Sequence, residues 1–242
     1  MTPAGGEGYH EGKSCCLGPN NVAKKIPMNQ AFRGTERERD LDREVYFSDM
    51  YFSMPQLCSF AHQLNFIHAM SPKSAIEIGL GNGFVSSYLR RAGVPITTVD
   101  INPALEPDIC APLAEVSAHI AAPCDLVICC EVLEHMPLEE LDANLDHLRG
   151  LGDRLFLTLP NSYKAWGFSG LMFLPKLGAR LFDLNFNSPW KNTIAGGPHF
   201  WEVGYSAACS RAAIVKRLKQ RYGNVRSGRF ALKPYHMWFV CE

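Results

Sequence analysis

The residues best suited to chemistry begin in the segment A-I-E-I-G-L-G-N-G-F, where Glu77 precedes three alternating glycines, Gly79, Gly81 and Gly83. Glycines at a strand-to-helix turn accept positive φ and let the main chain approach a ligand. The helix start behind them offers unpaired N–H groups. Spacing narrows the ligand. A dinucleotide fingerprint, G-x-G-x-x-G, needs its third glycine where this chain has Phe84, and no phosphate-cradling lysine follows as in a P-loop. Asp100 closes the run T-T-V-D, and C-D-L-V-I-C-C-E-V-L-E-H (Cys124–His135) gathers Glu131, Glu134 and His135. His199 follows in G-G-P-H-F-W-E. Imidazoles can act as general bases, and two carboxylates with two imidazoles can ligate a divalent ion.

The elements that must position these groups read as alternating strands and helices. Ala75–Ile78 is a short apolar strand, and Phe84, Val85, Tyr88, Leu89 and Ala92 follow at helical spacing, closed by Gly93. Ile96–Val99 is a second strand ending at Asp100, and Cys124–Cys130 is a near-continuous apolar strand, as expected for one buried on both faces of a parallel sheet. Leu138, Leu141, Leu145 and Leu148 line a helix face before a strand at Arg154–Leu159. This alternation predicts βαβ units and a parallel sheet. Upstream, residues 1–30 read as a loose tail, Arg33–Glu44 as a solvated helix face, and Pro55 as the start of a helix carrying Leu57, Phe60, Ala61, Leu64 and Ile67.

The stretch from Pro160 to about Phe200 breaks the alternation and reads as an insertion over the carboxyl ends of the strands, where open α/β sheets bind ligands. Its apolar part, Trp166–Pro175, is expected either to line an acceptor site as a lid or to form an extra helix packed as ordinary core. A basic helix over Ala207–Tyr222 leads to strands Asn224–Leu232 and Tyr235–Cys241, which should pair as an antiparallel hairpin.

On these motifs the chain resembles the class I S-adenosylmethionine-dependent methyltransferases, whose first motif is E/D-x-G-x-G-x-G. The resemblance covers about 74–161 and extends weakly to the C-terminus. It implies a Rossmann-like α/β fold: a seven-stranded, mostly parallel sheet with its last strand antiparallel, capped by N-terminal helices and the 160–200 insertion. Residues 1–54 would form a tail and cap segment, and residues 55–242 the methyltransferase domain. The resemblance assigns S-adenosylmethionine to Glu77, Gly79, Gly81, Gly83, Asp100 with Ile101, Asp108 with Ile109, and Glu131. Asp100 would hold the ribose hydroxyls, the Pro107-Asp108-Ile109 segment the adenine, and the Glu131 loop the methionine moiety.

Charge fits a sulfonium cation carrying an ammonium group. Between Arg91 and Arg149 there is no Lys or Arg but eleven carboxylates, a field that attracts a cation and repels a diphosphate. The strand-four motif is C-C-E-V rather than the N-P-P-Y of many nucleic-acid amino methyltransferases, which disfavours base amines. The expected reaction is O-methylation of a small or medium-sized, partly apolar metabolite, with His135 or His199 as base or orienting group. A non-catalytic relative serving as a partner protein is one alternative.

A second alternative is RNA ribose 2′-O-methylation, because E-x-x-E-H with a later histidine resembles the metal site of small-RNA 2′-O-methyltransferases and some ubiquinone-pathway O-methyltransferases. Glu131, Glu134, His135 and His199 would be the ligands, and the ion would lower the acceptor hydroxyl's pKa. The histidine-rich segment of that pattern is reduced here to His199, so metal-free chemistry is preferred.

Composition sets outer bounds. With 242 residues, 47% hydrophobic and 20% charged, the chain can bury a core unaided. Lys plus Arg (24) balances Asp plus Glu (24), which argues against a strongly basic nucleic-acid binder, although eight Lys or Arg and no carboxylate lie between Glu202 and Glu242. The nine cysteines are odd in number and lack C-x-x-C spacing, so neither a disulfide framework nor a zinc site is expected. No apolar signal region opens the chain, and Ala165–Leu184 is broken by Pro175, Lys176 and Arg180, so a cytoplasmic protein without a membrane span is expected.

Overall fold

The structure, a computed structural model, describes residues 34–194 and 197–242; the expected tail over 1–30 lies outside the described residues. The described residues open with α1 (Thr35–Arg39) and a 3-10 turn at Arg43–Phe47, then α2 (Met54–Met70). Pro55 sits in the first turn of α2, where its missing N–H leaves no intrahelical bond unmade. Next come β1 (Ala75–Ile78), α3 (Phe84–Arg91), β2 (Ile96–Asp100), β3 (Ile109–Cys110), β4 (Cys124–Cys130), α4 (Leu141–Leu151) and β5 (Gly152–Pro160). The remainder is β6 (Tyr163–Leu174), β7 (Gly178–Lys191), α5 (Arg211–Lys219), β8 (Val225–Phe230) and β9 (Lys233–Cys241).

Seven strands form one sheet in the order β3-β2-β1-β4-β5-β9-β8. The neighbours from β3 to β5 are parallel, and β9 runs antiparallel to both β5 and β8. This is the expected Rossmann-like sheet with its last strand antiparallel. Side chains on β4 alternate between two cores. Leu126 and Ile128 pack with Phe60 and Ile67 of α2 and Val85 and Leu89 of α3, whereas Val127 and Cys129 pack with Leu145 and Leu148 of α4 and Ile214 and Leu218 of α5. Burial of each such leucine or isoleucine contributes roughly 1.5–3 kcal/mol, so β4 is fixed in register from both faces. Strand order reverses between β1 and β4, which opens a crevice at their carboxyl ends.

Two segments differ from expectation. The basic helix is shorter: Ala207–Cys209 is a separate 3-10 turn, and Ser210 caps α5 by accepting the Ala213 N–H at 3.3 Å. Trp166–Pro175 forms no helix. It lies in an antiparallel hairpin of β6 and β7, a sheet of its own. The alternation W-G-F-S on one strand and F-D-L-N-F-N on the other has the strand period of two, and its aromatic residues favour extended backbone.

Candidate active site

The glycine loop joins β1 to α3. Gly79, Gly81 and Gly83 all have positive φ, at 85°, 54° and 67°. At Gly79 a Cβ would collide with Val132 Cγ2, so the glycine lets the β1 and β4 loops close on each other. Asp100, at the end of β2, pins this loop: its Oδ2 accepts the Leu80 N–H at 2.8 Å and its Oδ1 the Asn102 N–H at 2.9 Å.

Over these strand ends lies a cavity of about 760 Å³. Glu77, Gly79, Gly81, Asp100, Ile101 and Glu131 line one part of it. Gly83 stands behind it as the N-cap of α3. Asp108 and Ile109 are not brought to it: Asp108 accepts hydrogen bonds from the Thr98 main chain and hydroxyl, at 2.7 and 2.8 Å, and pairs with Arg90. The residues just after β3 take the wall position instead, Ala111, Pro112 and Leu113. An acidic residue near the start of β3 can brace β2 just as well as face a ligand, and spacing does not distinguish the two.

The other part of the cavity brings His135 and His199 together, with ring centroids 5.0 Å apart, edge to face. Backbone bonds set this meeting. The Phe200 N–H donates to the Glu134 carbonyl at 2.8 Å, and the Trp201 indole donates to the Met136 carbonyl at 3.0 Å. His199 Nδ1 donates to Glu202 Oε1 at 3.1 Å, so in the neutral ring Nε2 is the lone-pair nitrogen. Burial works to raise the Glu202 carboxyl, but hydrogen bonds from His199, Tyr235 and Asn192 outweigh it and hold the group below its ordinary value. His135 Nδ1 lies 3.2 Å from Glu38 Oε1. Burial likewise opposes the charge on Glu38, and His135 with Arg37 wins, so this carboxyl too stays below the usual range.

Glu38 overturns part of the sequence reading. The run Arg33–Glu44 was expected to be a solvated face, yet Glu38 turns inward onto the cavity together with Tyr46 and Tyr51. Glu202, Lys233, Tyr235 and His236 also line it, and no motif in the sequence marks them. Alternating charge in the first stretch hid which carboxylate would be covered.

Four carboxylate oxygens in the floor lack a hydrogen-bond partner among the described residues although they are buried: Glu77 Oε2, Glu131 Oε1 and both oxygens of Glu134. Burial pushes Glu77 up to about 7 against the pull of Ser86 and Arg90, and raises Glu131 and Glu134 as well. Glu131 adopts φ 56°, a strained conformation for a residue with a side chain, and its Oε2 faces His236 Nε2 at 3.7 Å. Buried, unpartnered carboxylates call for a cation, and a sulfonium or ammonium group would supply it. Glu134, His135 and His199 each offer a ligand atom within 4.8 Å of the others, which suits a divalent ion. Glu131 is not in that cluster, so three of the four residues expected to ligate a metal converge.

Residues 53–167 match the family described as "Methyltransferase domain". They are thus similar to a methyltransferase domain, and the sheet that contains them has the class I methyltransferase fold. The chain's fold resembles that of magnesium protoporphyrin IX methyltransferase from Synechocystis PCC 6803 with bound SAH, at 18% identity over 83% of this chain and 93% of that one, with a TM-score of 0.50. It also resembles the methyltransferase domain of bacterial-CtHen1-CN, at 16% identity over 78% of this chain and 100% of that one, with a TM-score of 0.50. No curated protein matches. The chain thus places its glycine loop and its histidine pair at one crevice, and among its described residues no helix is long and apolar enough to cross a membrane.

Proposed function

We propose that this methyltransferase uses S-adenosylmethionine to methylate an oxygen of a small or medium-sized, partly apolar molecule. The observation that carries the reading is the continuity of one cavity from the glycine loop and Asp100 to the His135–His199 pair. S-adenosylmethionine, when bound, supplies a methyl group on a positively charged sulfur. Gly79 and Gly81 would give it main-chain contact, Asp100 and Ile101 would take its ribose end, and Glu77 and Glu131 would meet its cationic end. The partnerless carboxylate oxygens support that assignment.

Transfer needs alignment first and a base only where the nucleophile must lose a proton. His199 suits the base because Glu202 fixes its Nδ1–H and stabilises the imidazolium that forms. His135, held by Glu38, would orient the acceptor or share that proton. Ile194, Pro198, Tyr46 and Tyr51 give the acceptor side partly apolar walls.

The Glu134–His135–His199 cluster supports a second reading, in which a divalent ion lowers the pKa of an unactivated hydroxyl, such as a ribose 2′-OH in RNA. One experiment separates the two. Labelled cofactor is incubated with the protein and a cell extract, with and without chelator, and the product is identified by mass. Label in a small molecule, insensitive to chelator, supports the first reading. Chelator-sensitive label in RNA supports the second, and label in protein alone defeats both.

A further inference from the structure

The β6–β7 hairpin leaves the body of the protein and exposes more large apolar side chains than a two-stranded ribbon in water would be expected to carry. Pairing places Trp166 opposite Phe186, Phe168 opposite Leu184 and Met172 opposite Arg180 on one face. The other face divides along its length. Near the base, Ser169, Asp183 and Asn185 hydrogen-bond to one another. Towards the tip the same face carries Leu171 opposite Leu181 and Phe173 opposite Ala179. The outer part of the hairpin therefore exposes apolar side chains on both faces, with Arg180 beside Met172 on the first, and Phe173 is 76% and Leu177 59% exposed.

An apolar tip on both faces is poorly served by a flat protein partner, which would cover one face and leave the other in water. A surrounding apolar medium covers both. Charge points to the same medium: the hairpin carries Lys164, Lys176, Arg180 and Lys191 against Asp183 alone, with Lys176 and Arg180 at the tip. We infer that the hairpin tip docks this methyltransferase onto an anionic lipid surface, Leu171, Phe173 and Leu177 entering the acyl boundary while Lys176 and Arg180 reach the headgroups. Both outer edges of the ribbon have unpaired main-chain groups, which bars deep entry into hydrocarbon and holds the tip at the interface.

Docking would also orient the cavity. β7 ends at Lys191, and the next residues, Asn192 to Ile194, line the cavity. Arg229 ties the hairpin base to the main sheet by donating to Asn187 Oδ1 and the Asn185 carbonyl, both at 2.6 Å. An acceptor embedded in the same membrane would thus lie on the side of the molecule from which the cavity's 192–194 wall is built.

The test is co-sedimentation of the full chain with vesicles of phosphatidylcholine alone and of phosphatidylcholine mixed equally with phosphatidylglycerol, with size-exclusion light scattering on the same preparations. The wild type should pellet with the anionic vesicles and be released by salt. Leu171→Ser with Phe173→Ser, and separately Lys176→Glu with Arg180→Glu, should each lower the bound fraction about tenfold or more. All four positions are exposed, so thermal unfolding should be unchanged in both variants, which separates lost docking from lost folding. Wild type that stays in the supernatant with both vesicle types overturns the proposal, as do variants that bind like wild type. A wild-type dimer that ignores vesicles and becomes monomeric in the Leu171→Ser, Phe173→Ser variant assigns the tip to a second copy of the chain instead.

Discussion

His135 and His199 stand edge to face at 5.0 Å, and each is backed by a carboxylate from a different part of the chain: Glu38 from α1 behind the first, Glu202 behind the second. The hydrogen bond to Glu202 sets the tautomer and orientation of His199, so Glu202 should act through that ring. On the acceptor found by labelling, His199→Ala is expected to lower turnover about a hundredfold. Glu202→Gln should cost about tenfold and move the pH–rate profile, because the amide can still hold the ring but no longer stabilises its cation. An unshifted profile would reduce Glu202 to a structural brace.

Asp100 has two tasks at once, holding the glycine loop and facing the cavity. Asp100→Asn keeps the shape and one accepting oxygen but removes the charge. Calorimetry with S-adenosylhomocysteine should show affinity about tenfold weaker or more, the range of a lost charge-assisted hydrogen bond. Unchanged affinity would remove Asp100 from the ribose assignment and leave it as the anchor of Leu80 and Asn102.

Two glycines with nearly equal φ offer a controlled comparison. Gly79 (φ 85°) faces Val132, whereas Gly93 (φ 83°) has nothing within 4 Å of an added Cβ. Alanine at Gly93 should cost about 1 kcal/mol, from backbone strain alone. Alanine at Gly79 adds a collision in a packed loop and should cost about 2–4 kcal/mol. Urea unfolding of both variants measures the difference, and equal costs would show that the β4 loop yields freely at Val132.

Most of the fold was legible because β1, β2, β4 and β5 carry short apolar runs between amphipathic helices, and burial on both faces leaves that mark on residues such as Leu126 to Cys129. The glycine loop and Asp100 were legible for a related reason: their chemistry depends on local backbone conformation and sits at strand ends. The pairing of His135 with His199 was legible only as a motif. What hid was non-local. Glu38 reads as one more charge in R-G-T-E-R-E-R-D, and only the folding of α1 over the cavity distinguishes it. Asp108 fits a ligand role by position, yet Thr98 and Arg90 satisfy its carboxylate within the sheet edge. The β6–β7 hairpin carried a period of two that its glycines and its apolar character obscured.

The Asp125–Arg154 pair provides a pH test with a definite sign. Asp125, the second residue of β4, accepts hydrogen bonds from the Lys73 N–H at 2.7 Å, from Arg154 Nη2 at 2.7 Å and from Arg154 Nε at 3.0 Å, while Arg154 Nη1 donates to the Met70 carbonyl at 2.7 Å. The pair thereby fastens the end of α2 to β4 and β5. Burial mildly opposes the Asp125 charge, but Lys73 and Arg154 outweigh it and depress the carboxyl below its ordinary value. A depressed acid binds fewer protons folded than unfolded, so its contribution is complete above the unfolded pKa of about 3.9 and is lost as pH falls through the lower folded value. Both side chains are about a quarter exposed, at 27% and 23%, so solvent screens the pair only in part. Asp125→Asn is therefore expected to destabilise the protein by about 1–2 kcal/mol at neutral pH. Urea midpoints taken from pH 7 downward should show wild type and variant converging as the medium acidifies below about 4. A gap that stays constant across that range would mean that the lost hydrogen-bond geometry, and not the charge, carries the effect.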